Sequence, residues 1–195
     1  MEEVVGLSEA LLLPIHESWT FADLKELPND GYRYEIIDGL LIVSPAPTAR
    51  HRSIAHLLSV LLQGSLPKDL RILPAAGVLL ESPDPTLYLI PDLLVVHAAN
   101  VTDEAKNLGP ADVLLAVEIV SPSTGRYDLV IKRDVYAELG IRHYWVVESR
   151  PPGSILALTL GPSGTYVSTA EASGDDEFVV DQPFPVRIIP AALRR

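Results

Sequence analysis

Two acidic residues stand in sequence that otherwise reads as buried sheet: Asp92 in "IPDLLVV" and Glu118 in "LLAVEIVSPST". Taking a carboxylate out of water costs several kcal/mol, roughly the penalty of a poorly compensated buried ion. Strand alternation puts Ala116, Glu118 and Val120 on one face and Val117 and Ile119 on the other. Carboxylates on neighbouring strands repel when both are ionised, which raises the pKa of at least one unless a cation lies between them. Mg²⁺ or Mn²⁺ is the economical counter-charge, because these hard cations take carboxylate and carbonyl oxygens. A structural alternative stands beside this: Asp92 as a turn residue at a strand start, and Glu118 paired with a buried Arg or Lys.

The elements that must position these acids follow from patterning. "SWTFADLKELP" reads as a short helix with Thr20 as N-cap and Asp23 in its first turn. "RYEIIDGLLIV" predicts a hairpin about Asp38-Gly39. From His51 to about Gly64, Ile54, Leu58, Leu61 and Leu62 recur on one helical face. Three strand candidates follow: "LRILPAAGVLLES", "YLIPDLLVV" and "VLLAVEIV". Residues 125–139 are helical by pattern, with Ser123 or Thr124 as the cap and Gly140 as the stop. "RHYWVVES" returns as a strand, and "SILALTL" and "TYVSTAE" flank the turn at Gly161–Gly164 as a C-terminal hairpin. The order predicts an α/β architecture with a mixed sheet flanked by helices.

Composition narrows the chemistry. The 195 residues suit one domain with a full core, and 48% hydrophobic content is ordinary for a globular chain. The absence of cysteine excludes disulfides and thiolate metal sites. The first 24 residues hold no Lys or Arg, and "ALLLPI" is short and broken by Pro14, so neither a signal peptide nor a membrane span is expected and the reading is cytoplasmic. A net charge of −11 works against loose adhesion to phosphate backbones, although a nucleic-acid enzyme with local contacts and a divalent metal is compatible with it. The 12 glycines form neither a Walker nor a dinucleotide fingerprint. Ser121 and Ser123 lie outside any G-x-S-x-G elbow, which speaks against a serine nucleophile.

"YEIIDGLLIVSPAPTARH", "PDLLVV", "VEIVSPST", the charged helix "RYDLVIKRDVYAELGI" and "HYWVVE" together resemble the Uma-two family of putative restriction endonucleases, within the PD-(D/E)XK nuclease superfamily. The resemblance runs from Thr20 to the end of the chain, which implies a single restriction-endonuclease-like domain over 20–195 after an N-terminal extension, 1–19. It implies that Asp92 and Glu118 are metal ligands together with the backbone carbonyl of Ile119, and that Glu35 lies near the metal. The superfamily pattern has a lysine two residues after the second acid, where this chain has Val120. Lys132 on the following helix is the implied replacement, as in other branches where the lysine has moved there. Asp128, Lys132 and Tyr136 fall at four-residue steps and share a helix face, a polar line toward the acids or an ordinary solvated face. His51 begins a helix and reads either as an accessory catalytic residue or as a capping or surface one.

The resemblance implies metal-dependent hydrolysis of phosphodiesters, with DNA as substrate and a homodimer as the working form. The rival is a non-catalytic nuclease-fold protein that binds nucleic acid or protein, favoured by the displaced lysine and the acidic charge. A two-carboxylate glycosidase is disfavoured, since Trp19 and Trp145 are the only tryptophans available to stack on a sugar. Positive charge near the acids is expected from Arg50, Arg52, Arg126, Lys132 and Arg133, and no helix-turn-helix, zinc finger or basic tail supplies sequence recognition.

Overall fold

The computed structural model describes residues 16–80, 87–120 and 127–194, with 127–129 described by backbone alone. The first hairpin joins β1 (Arg33–Ile37) and β2 (Leu40–Ser44) in antiparallel register. Asp38 and Gly39 have φ of 50° and 72°, so the Asp-Gly pair forms the tight turn that its spacing predicts. A Cβ at Gly39 would collide with the Ser18 hydroxyl, and the Trp19 N–H donates to the Gly39 carbonyl at 2.7 Å. Just upstream of β1, the expected helix is only a 3₁₀ turn, Asp23–Glu26. Thr20 does not cap it; the Asp23 carboxylate instead accepts from both the N–H and the hydroxyl of Thr20, each at 2.7 Å.

Helix α1 (Ala49–Gln63) starts at the Thr48 cap, whose hydroxyl accepts from the His51 N–H at 3.2 Å. Ile54, Leu58 and Leu62 form its buried row. Leu61, expected on that row, falls to one side of it in the last turn and is 43% exposed.

The next two predicted strands are each divided. β3 (Leu70–Pro74) pairs with β6 (Leu93–His97), while β4 (Val78–Leu80) pairs with β5 (Leu87–Leu89), and the two pairings belong to different sheets. A single hairpin therefore passes from one sheet to the other. Pro74 and Pro91 have no N–H to give a ladder, which breaks each strand where it bends. Ala75 takes a positive φ of 49° at the corner and donates its N–H to the Asp92 carbonyl at 3.1 Å. Gly77 keeps the corner tight, because a Cβ there would lie 2.6 Å from the Tyr88 ring.

β7 (Val113–Val120) lies between β6, antiparallel, and β8 (His143–Glu148), parallel. β9 (Ser154–Leu160) and β10 (Tyr166–Ser173) extend the sheet as the predicted hairpin, giving the order β10-β9-β8-β7-β6-β3. The parallel crossover from β7 to β8 runs through a π-helical turn, Tyr127–Lys132, and then α2 (Arg133–Glu138). The predicted helix thus exists in two windings, and Gly140, φ 72°, ends it as expected. Ser121, Ser123, Thr124 and Arg126 lie outside the described residues, as does the side chain of Asp128.

Among the described residues the large sheet has six strands and the small one, β2-β1-β5-β4, has four. One face of the large sheet buries Val95, Leu115, Val117 and Trp145 against the α1 row and against a further hairpin, β11 (Phe178–Val180) with β12 (Val186–Ile188), which patterning did not reveal. The other face buries Leu94, Ala116, Val120 and Tyr144 against Ile37 and Leu89 of the small sheet and Tyr136 of α2. Glu118 points into this second layer, between Ala116 and Val120. Among the described residues no helix is long and apolar enough to cross a membrane.

Candidate functional site

Glu118 is 1% exposed, and the structure supplies its partners from the crossover. Lys132 Nζ lies 2.8 Å from Glu118 Oε1, and the Tyr136 hydroxyl donates to the same oxygen at 2.7 Å. The four-residue step between Lys132 and Tyr136 brings both onto one acid. Lys132 Nζ also stands 2.9 Å from Glu35 Oε1, an oxygen that accepts from the Ile90 N–H at 2.8 Å. One buried ammonium thus joins β1 of the small sheet to β7 of the large one. The structural alternative for Glu118, a buried Lys partner, and the lysine implied by the resemblance are the same residue. Burial drives the Tyr136 phenol well above its ordinary range, with the charges of Glu118 and Glu35 adding to it, so it stays a donor.

Asp92 follows the bend of the crossing hairpin. Leu93 stands opposite Val117, and one step further along that antiparallel register Asp92 falls opposite Glu118. Its Oδ1 accepts from Arg33 at 3.0 Å; its Oδ2 lies 2.9 Å from His51 Nε2 and accepts from the Ile119 N–H at 2.8 Å. Burial pushes the Asp92 carboxyl up, but the His51 hydrogen bond and charge, the Arg33 charge and the Ile119 N–H outweigh it and hold the group below the ordinary carboxylate range. An ionised Asp92 only accepts, so His51 Nε2 carries the proton between them. Arg33, raised above its usual value by Asp92 with Glu118 and Glu35 against its burial, senses all three acids.

The structure therefore brings together Glu35, Asp92, Glu118, Lys132, Tyr136 and His51, while the position of the Asp128 side chain lies outside the described residues. Arg33 was not singled out in the sequence, although alternation in "RYEII" puts it on the same face as Glu35. Two of the expected cations lie elsewhere: Arg50 donates to the Arg194 carbonyl and Arg133 to the Tyr166 carbonyl. Arg52 lines a cleft of about 330 Å³ that also holds Arg33, His51, His56 and Asp92.

The donors suit a hard cation. Glu35 and Glu118 already converge on one positive charge, the Lys132 ammonium, and Ile119, whose N–H meets Asp92, presents its carbonyl on the same edge of the extended strand. In this arrangement the ammonium takes the place between those two acids, and among the described residues no three His, Asp or Glu side chains come close enough together to hold a metal.

No curated protein matches the chain. Among solved structures, a crystal structure described as a putative nuclease belonging to DUF820 from Anabaena variabilis ATCC 29413 superposes with a TM-score of 0.65 at 15% identity, covering 90% of this chain and 97% of that one. That likeness identifies the two-sheet core as a restriction-endonuclease-like fold. The Uma2 family, described as "Putative restriction endonuclease", matches residues 21–192. That span takes in β1 with Glu35, the bend at Asp92, β7 and the crossover with Lys132, and the chain belongs to the Uma2 family.

Proposed function

We propose that the protein is a metal-dependent nuclease that hydrolyses phosphodiester bonds in DNA, with Mg²⁺ or Mn²⁺ as its cation. The observation that carries this reading is a set of three buried acids in two adjoining groups, Glu35 and Glu118 on Lys132 and Asp92 on Arg33 and His51, with Asp92 opening on a cleft. Asp92, Glu118, Glu35 and the Ile119 carbonyl would hold the cation. When bound, it supplies Lewis-acid polarisation of the phosphate and a lowered pKa for water. Lys132, oriented by Glu118 and Glu35, carries the positive charge that opposes charge developing on the phosphate. His51 and Arg33 keep Asp92 ionised, and Arg33 and Arg52 offer the cleft its cationic wall.

The second reading, a nuclease-fold binding module without turnover, draws on Val120 at the usual lysine position and on Lys132 already neutralised between two acids. Calorimetric titration with Mn²⁺ and a plasmid-nicking assay, run on the wild type, Asp92→Asn and Glu118→Gln, separate the two. The proposal expects saturable binding and nicking, both lost in each variant. Nicking that persists in Glu118→Gln would sink it, and tight DNA binding with no turnover in any divalent metal would favour the binding module.

A further inference from the structure

A second cleft, of about 520 Å³, adjoins the one that contains Asp92 and shares Arg33, Pro47 and Ala75 with it. Its walls are aromatic: Phe21, Tyr32, Tyr34 and Tyr88 are four of only 12 Phe, Trp and Tyr residues in the chain, so the concentration is local rather than compositional. Lys25 and Arg33 place positive charge on its rim.

Three of the four rings are held in advance. Tyr34 donates its hydroxyl to the Asp30 carboxylate at 2.9 Å, and the same carboxylate accepts from the Tyr32 backbone N–H at 3.0 Å. Phe21 packs on Tyr88 with ring centroids 4.8 Å apart and planes tilted by 53°. Tyr32 itself is 44% exposed, a large amphipathic ring left in water at the cleft edge. Asp30 does not line the cleft; the charged lining is Lys25 together with Arg33, which is paired with Asp92 at 3.0 Å.

Flat rings with cations lining the same cleft and a neighbouring carboxylate site suit one ligand chemistry, a nucleobase still attached to its phosphate. The volume lies within the range that binds small planar ligands. Bases inside a duplex hide their faces in the stack, whereas unpaired bases lay them on aromatic side chains. We propose that this cleft stacks an unpaired nucleotide of a single strand, with the adjoining phosphates passing Arg33 toward Asp92. The inference rests on the nuclease reading and narrows its substrate to nucleic acid that is single-stranded beside the scissile bond.

Fluorescence anisotropy tests it on the full chain with end-labelled DNA in EDTA, where no cleavage occurs. The probes are an oligothymidylate strand, an abasic strand of equal length and a blunt duplex. The thymidylate strand should bind about ten-fold or more tighter than either control. Tyr32→Ala should weaken it by about 5-fold to 150-fold, the range for loss of one stacked base, with Tyr32→Trp retaining affinity and abasic binding unmoved. Equal affinity for the abasic strand or the duplex, or indifference to Tyr32→Ala, would overturn the assignment. Cleavage of the end-labelled thymidylate strand and of plasmid in Mn²⁺, measured on the same preparations, keeps the two ideas apart. Cleavage of either that depends on Glu118 alongside a failed strand-binding test removes the cleft and leaves the nuclease; Tyr32-dependent strand binding without cleavage of either in any metal does the reverse.

Discussion

Lys132 Nζ sits 2.8 Å from Glu118 Oε1 and 2.9 Å from Glu35 Oε1, so one ammonium neutralises acids from two different sheets. Removing it takes the shared ammonium from two buried carboxylates, leaving Glu118 the Tyr136 hydroxyl and Glu35 the Ile90 N–H among their bonds. Lys132→Met is expected to lower unfolding free energy by about 3–5 kcal/mol, the usual result of deleting one partner of a buried ion pair. Adding Glu118→Gln to that variant should restore part of the loss. Urea denaturation followed by tryptophan fluorescence checks both, and a loss below about 1 kcal/mol would mean that the acids remain solvated.

Tyr136→Phe keeps the ring that packs against Tyr144 and removes only the hydroxyl that serves Glu118. A hydrogen bond to a charged group is worth about 1.5–3 kcal/mol, and a destabilisation of that size is expected in the same denaturation experiment. If the proposed chemistry holds, nicking should fall while the far-ultraviolet circular dichroism stays unchanged.

Asp92, whose native carboxyl is held below its ordinary range, stabilises the fold fully above the unfolded value of about 3.9 and loses that contribution as pH falls through the native value. His51→Ala removes the strongest of the interactions that lower it. The acid-unfolding midpoint should therefore move to higher pH in His51→Ala. An unmoved midpoint would show that Arg33 and the Ile119 N–H suffice.

His143, 3% exposed in β8, lies 3.3 Å through Nδ1 from the Thr159 hydroxyl. Burial, with the charge of Arg142 adding to it, brings its imidazole down from 6.5 to about 4. Between those values the unfolded chain takes up a proton that the native state refuses, so stability is full above pH 6.5 and drains away as pH falls toward 4. Denaturation midpoints measured at descending pH should drop across this window in the wild type and flatten in His143→Gln.

Local chemistry made much of this architecture legible. Asp38-Gly39 announced its turn, the apolar run of β7, interrupted only by Glu118, announced a central strand, and Gly140 announced a helix stop. The corrections lie where a pattern has two physical solutions. "LRILPAAGVLLES" and "YLIPDLLVV" are mostly apolar, and periodicity does not tell one strand from two that belong to different sheets; only the prolines hinted at the bend. The four-residue step from Lys132 to Tyr136 predicted a shared direction, but the π winding ahead of α2 had no local signature. Arg33 meets Asp92 across 59 residues of chain, and alternation gives the face a side chain takes without naming what will face it. For the same reason Glu35 was placed among the acids by resemblance rather than by its own spacing.

The bend Ile90-Pro91-Asp92 meets the acid cluster from several sides: the Ile90 N–H holds Glu35, the Ile90 carbonyl accepts from Arg33 at 3.3 Å, and Asp92 receives Arg33, His51 and the Ile119 N–H. The placement of Asp92 and Glu35 about Arg33 is therefore written into a seam of three residues, and the register of β6 on β7 carries it on to Glu118. Outlying strands such as β2 and β10 make none of these side-chain contacts. An insertion or deletion inside the seam would shift the acids against one another at a single stroke.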